Sequence, residues 1–479
     1  MKALAGKRHS ACSACLTDTV WSGLCLILFN LKKGCLYMRT RNTSFVTLVL
    51  LAVVGIAIFS LGPHAVAQAQ QSDPIADNAR IMLDQGRRTF RFDTFGDEAF
   101  WGDTLKLHQA VAGAKQGGVG PGVSPKTALA VGLKVDVDAL PQSLVDGLKS
   151  STVDLTDPAT TVALLNLNAV VGVTGFTGTD GKLRSMGIQC ALCHSTVDDS
   201  FAPGIGHRLD GWANRDLNVG AIIALAPDLS VLTNLLSVDD ATVRTVLNSW
   251  GPGKFDAQLS LDGKAFRPDG KSAAVLIPPA FGLAGVNLGT STGFGSTTYW
   301  NAFVANLEMH GKGTFYDPRL NDATQFPVAA KAGSGAVHND SDLITSKLAA
   351  LHFYQLAIPA PQSPQNDRGF NFPAQRGKAL FNGKAQCARC HVPPLFTEPG
   401  YNMHTPEELG IDNFQANRSP TKMYRTTPLK GLFSHMKGGF FHDGRFPDLC
   451  SVVDHYDSNL KTGLSDGEKA DLIAYLMTL

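Results

Sequence analysis

The chain has 479 residues, 44% hydrophobic and 17% charged, which excludes intrinsic disorder and leaves material for two or three cored domains. Its formal net charge is +1, but residues 1–69 hold seven Lys/Arg against one Asp, so the remainder is acidic by about five charges. Nucleic acid is thereby excluded as the expected partner.

The first element in chain order begins at Met38. Arg39 and Arg41 precede an apolar run from Phe45 to Leu61, and small residues Ala65, Ala67 and Ala69 follow. This order predicts a secretory signal peptide cleaved after Ala69, with an uncleaved membrane anchor as the alternative, because the run nears spanning length. Residues 1–37, with Cys12, Cys15, Cys25 and Cys35, fit neither, so residues 1–69 are read as an extension plus signal peptide with the true start at Met38. The protein is expected to be periplasmic or otherwise exported, touching a membrane only through this segment.

A first domain is assigned to residues 74–358. Its opening helix, "ARIMLDQGRRTFRF", resembles "PAQRGKALFN" near the C-terminus, and an insertion occupies about 92–183. Within that insertion "GGVGPGVSPK" reads as an ordinary loop, since no strand precedes it and prolines stand where a phosphate loop needs amides. Asp157 and Pro158 open a helix, and "VVGVTGFTGTDGKLRSMGI" predicts a hairpin turning at Asp180 and Gly181.

"CALCH" (190–194) and "CARCH" (387–391) carry the chemistry. Two thiols one helical turn apart can each add to a porphyrin vinyl group, and the adjoining imidazole then lies under the iron. Cys190 and Cys193 are assigned to one covalently attached haem c with His194 on its iron, and Cys387 and Cys390 to a second with His391. A shared zinc site or a redox dithiol leaves the repeated histidine unexplained. Without residues 1–69 only Cys450 lies outside these motifs, so the chain is not a disulfide scaffold.

"PAPQSPQND" (359–367) is read as a linker. It leads to a second cytochrome c domain, 368–479, with one helix running into "CARCH" and another ending the chain behind a Ser465–Glu468 capping box. The expected fold is mainly α: two cytochrome c-like haem domains in tandem, the first with a large insertion and a short β-hairpin.

From 372 onward, "GKALFNGKAQCARCHVPPLFT", "YRTTPLKGL" and "GGFFHDGRFPDLCSVVDHY" resemble the bacterial di-haem cytochrome c peroxidase and MauG superfamily in order. "CALCHSTVDDSFAPGIGHRLDGW" and "VANLEMHG" are similar more locally. The resemblance implies that His207, in "GIGH", is a switchable distal ligand, and that Glu308, in "NLEM", is the acid and base toward hydrogen peroxide. A loop-ordering histidine and a surface glutamate are the alternatives, and Met309 and His310 compete as iron ligands. At the second haem Tyr456 stands where the peroxidases place methionine, as in MauG; a phenolate ligand stabilises ferric iron, with His455 and Met436 as rivals. Phe294 stands where these enzymes place an electron-relaying tryptophan, with Trp300 six residues on. The family further implies a small redox protein or quinol-linked electron donor, and calcium near "WANRD".

The expected function is that of an exported di-haem c-type cytochrome with redox chemistry of the peroxidase or MauG type. An electron carrier without substrate chemistry is the alternative from another class, and a haem oxygenase acting on an apolar substrate ranks below it.

Overall fold

The computed structural model describes residues 73–365 and 371–479. The signal-peptide and anchor expectations lie outside the described residues, as does the end of the linker. The chain divides into Met1–Asp77 and Asn78–Leu479, and everything below concerns the second unit unless a helix begins earlier. No described helix is long and apolar enough to cross a membrane.

The fold is mainly helical. Its principal elements are α1 (Pro74–Phe92), α2 (Pro158–Asn166), the strands β1 (Val173–Thr177) and β2 (Leu183–Ile188), α3 (Leu348–Ala357), α4 (Phe372–Asn382), α5 (Leu449–Leu460) and α6 (Asp466–Leu476). Starts follow local chemistry: Asp157 accepts from the Ala159 amide ahead of Pro158, Asn371 caps α4, and Ser465 with Glu468 forms the full capping box of α6.

Two helix crossings repeat each other. At Gly86 of α1 an added Cβ would lie 2.0 Å from the Ala350 carbonyl oxygen of α3; at Gly377 of α4 it would lie 1.9 Å from the Asp471 oxygen of α6. Only glycine lets the backbones meet this closely. Four residues after each glycine comes a fully buried phenylalanine against a tyrosine of the partner helix. Phe90 lies 5.6 Å from Tyr354 and Phe381 5.3 Å from Tyr475 between ring centroids. Burying each phenylalanine contributes about 1.5–3 kcal/mol. The similarity between the α1 and α4 sequences therefore encodes the same packing joint twice.

The segment 92–183 is built into its surroundings. β1 and β2 form the antiparallel hairpin, with Gly181 at φ +74 in its turn. Val135–Asp136 pairs in parallel with Ile205–Gly206. Trp101, Leu140, Leu165 and Met186 share one apolar core with Leu192, Leu217 and Trp250. Arg208 to Asp136 and Lys134 to Asp216, each 2.6 Å, tie the segment to residues after the first motif. A small apolar pocket lined by Leu129, Val135, Leu144 and Leu148 includes none of the predicted site residues.

Candidate functional site

β2 delivers the chain directly into the first motif. Residues Ala191–His194 make one helical turn, and Gly172 faces it so closely that a Cβ would stand 2.1 Å from Leu192. His194 donates from Nδ1 to the Pro278 carbonyl at 3.1 Å. The second motif follows α4 through Gln386, in the left-handed region, and a short 3-10 turn at Cys387–Arg389. There His391 Nδ1 donates to the Phe396 carbonyl, again at 3.1 Å. In both copies the tautomer is fixed with the Nε2 lone pair left over, which is what an iron ligand requires. Burial pushes His194 down to about 4 and lowers His391 as well, so both rings are neutral at physiological pH.

The thiols weigh against the rival chemistries. Burial pushes Cys190 and Cys193 up to about 12 and Cys387 to about 11, the opposite of a redox dithiol's lowered value. Among the described residues, no metal-capable cluster contains cysteines of both motifs, so a shared zinc site is not formed. Two half-buried arginines point to what the motifs hold. Arg215 Nε and Arg425 Nη1 lack hydrogen-bond partners among the described residues; desolvation lowers both guanidinium groups to about 10, with no carboxylate opposing it. Such groups suit an anionic ligand, and haem brings two propionates. The residues present therefore fit covalently held haem.

The remaining predicted residues are distributed unevenly. Glu308 ends a π-helical turn, Val304–Glu308, whose Val304, Ala305 and following Met309 pack in one apolar cluster with Cys190 and Ala191. Its carboxyl accepts from Ser260 Oγ at 3.3 Å; desolvation pushes it up to about 8, with a further upward contribution from Asp256. Met309 is core, its carbonyl accepting from Trp101 Nε1 at 2.9 Å, and His310 stacks on Phe100 at 3.6 Å. His207 is not brought together with Glu308: its side chain is 57% exposed and its Nδ1 bonds Asp138 at 2.9 Å, which raises its pKa.

Tyr456 lies beside the second motif. Its ring stacks on Phe441 at 5.8 Å; burial raises the phenol, and the Cys390 and Cys387 sulfurs raise it further. His455 spends Nε2 on the Leu409 carbonyl at 2.8 Å, and Met436 is 37% exposed. Asn214, the "WANRD" asparagine, donates to the Gly132 carbonyl and accepts from the Asp216 amide. Phe294 and Trp300 both belong to an aromatic cluster with Phe303. Trp212 instead packs against the same apolar cluster as Cys190 and stands 6.0 Å, ring to ring, from Phe433, the neighbour of Leu432 in the core against which Cys387 packs.

Two haem-attachment turns, each with a histidine presenting Nε2, define a c-type cytochrome. No family model matches the chain. It is 32% identical over 157 residues to the methylamine utilization protein MauG of Methylorubrum extorquens, a match covering 27% of this chain and 43% of that protein. It is 25% identical over 244 residues to the cytochrome-c peroxidase IdrP1 of Denitromonas iodatirespirans, covering 38% of this chain and 64% of the relative. The matches thus span less than two thirds of these relatives' length. A solved MauG-like protein associated with microbial copper homeostasis aligns at 19% identity and a TM-score of 0.30, over 47% of this chain and 80% of that one. These similarities support a relation to the di-haem cytochrome c peroxidase and MauG superfamily, and haem c is the cofactor that such relatives imply.

The sequence carries no pattern that marks Ser260, Asp256, Arg215 or Trp212. Each matters through a contact with a residue distant in the chain. Arg215 stood inside the quoted "WANRD", but a lone arginine there has no spacing that signals a buried anion partner.

Proposed function

We propose that this protein is an exported di-haem c-type cytochrome that reduces hydrogen peroxide with electrons from a small redox protein or quinol-linked donor. Cys190, Cys193 and His194 would hold one haem and Cys387, Cys390 and His391 the other, and Tyr456 would supply a further ligand to the latter. Bound haem supplies redox-active iron, and the chain's own residues supply the rest. Trp212 and Phe433 offer an aromatic path between the two motif regions.

The observation that carries this reading is Glu308, a desolvated carboxyl pushed up to about 8 at the end of a π-helical turn whose Val304 and Ala305 share an apolar cluster with Cys190 and Ala191. Poised near the working pH, such a group both accepts and returns a proton. As carboxylate it takes a proton from one peroxide oxygen and returns it to the other, which leaves as water. Two electrons from the donor and two protons from solvent complete the conversion of peroxide to two waters. Ser260 orients the carboxyl by donating to Oε1. His207, whose Nδ1 is held by Asp138, would offer Nε2 as the switchable ligand that the family resemblance implies, from a side chain that faces solvent in this arrangement. Calcium near Asn214 remains part of the proposal through the family resemblance alone.

Protein matured in a host competent for cytochrome assembly should carry the mass of two haem groups. Glu308→Gln should keep both and lose peroxide turnover. Full turnover in this variant would remove Glu308 from the mechanism, whereas a wild-type protein with purely low-spin iron inert to peroxide in every redox state would leave the electron-carrier function in its place.

A further inference from the structure

A buried ion cluster joins the C-terminal region to the segment that carries Ser260. Arg418, 1% exposed, forks onto both carboxylate oxygens of Asp262, with Nε at 2.8 Å and Nη2 at 2.9 Å. Its Nη1 reaches Asp256 at 3.0 Å. Phe414 lies beneath the guanidinium at 5.5 Å, and Gln415 donates to Gln258 at 3.0 Å. Asp256 and Asp262 are 2% and 6% exposed. Replacing a buried ion pair by apolar residues is often neutral or stabilising, so stability alone explains the arrangement poorly, whereas a planar fork sets geometry.

That geometry has a specific object. Asp256 and Asp262 are the two ends of a seven-residue segment, a turn leading into the helical turn Leu259–Asp262 that carries Ser260, and Arg418 holds both ends at once. Ser260 Oγ is the hydroxyl that donates to Glu308. We infer that Arg418 is a positioning residue for the peroxide reaction: by clamping Asp256 and Asp262 it holds Ser260 against the Glu308 carboxyl, so that the C-terminal region sets the geometry of the acid and base at the end of the Val304–Glu308 turn. This rests on Glu308 being the proton carrier. Gln415, through Gln258, is a second and weaker strut of the same clamp.

The test uses ferric holoprotein with both haem groups attached. The Glu308 carboxyl is titrated by infrared difference spectroscopy, its band assigned with Glu308→Gln, and peroxide consumption is followed from pH 6 to 10. Ser260→Ala removes a bond that favours the carboxylate, so the midpoint moves up by about half a pH unit or more, roughly a threefold loss of the ionised form at pH 7. Arg418→Lys keeps the charge but cannot span both aspartates, and should move the midpoint by a similar amount in the same direction. The double variant should move no further than either single one. Shifts that add in the double variant, or an Arg418→Lys protein with a lowered Tm and a wild-type midpoint, overturn the clamp. If Arg418→Lys yields no holoprotein, Asp262→Asn decides by the same criteria. Wild-type turnover in Glu308→Gln removes the proton-carrier role, while the infrared midpoint still reports whether the clamp acts on the carboxyl.

Discussion

Peroxide turnover should climb steeply across pH 8, because Glu308 must be ionised to accept the first proton. Desolvation, the largest contribution, pushes its carboxyl up to about 8, with Asp256 adding to the rise and the Ser260 hydroxyl opposing it. One unit below that value about a tenth of the molecules carry the carboxylate, and one unit above about nine tenths do. The second-order rate constant of the holoprotein with peroxide should therefore rise about ninefold between pH 7 and 9, with a midpoint near 8. Stopped-flow measurements at constant ionic strength read this directly, and Glu308→Gln should abolish the limb. A rate that stays level over this range in the wild type would refute the assignment. The same shift has a stability consequence. A carboxyl whose folded value lies above its unfolded one stabilises fully below the unfolded value, about 4.5, and the contribution is lost as pH rises through about 8. Glu308→Gln should accordingly raise Tm more at pH 9 than at pH 5.

Gly377→Ala forces a methyl group to within 1.9 Å of the Asp471 oxygen and should lower stability by about 1–3 kcal/mol through overpacking; Gly86→Ala at the matching joint should behave alike, and an unchanged Tm in both would contradict the close crossings. Tyr456→Phe should keep both covalent haem groups while altering the ligand-field bands of only one; identical spectra would remove Tyr456 from the iron. Trp212→Phe should slow electron redistribution between the haem groups in half-reduced protein without changing either group's spectrum. An unchanged redistribution rate would assign the transfer to a route that avoids Trp212.

The attachment chemistry was legible in sequence because it is local. Cys-x-x-Cys-His places two thiols and an imidazole within one turn, and no distant residue is needed to bring them together. The same holds for the hairpin at Gly181, the Asp157 cap and the Ser465 capping box, each encoded within a few positions. The resemblance of α1 to α4 was visible too. Its meaning was not, because the partner of Gly86, α3, begins more than 250 residues later.

Sequence alone thus carried the two Cys-x-x-Cys-His motifs and several helix starts, while Glu308 and Tyr456 came only from the family resemblance. Only the tertiary structure decided that Glu308 is desolvated against Ser260 while His207 faces solvent with Asp138. Desolvation and ion pairing depend on what surrounds a group in space, and here Ser260, Asp138 and Arg418 all come from chain positions that neither period nor spacing links to the residues they hold.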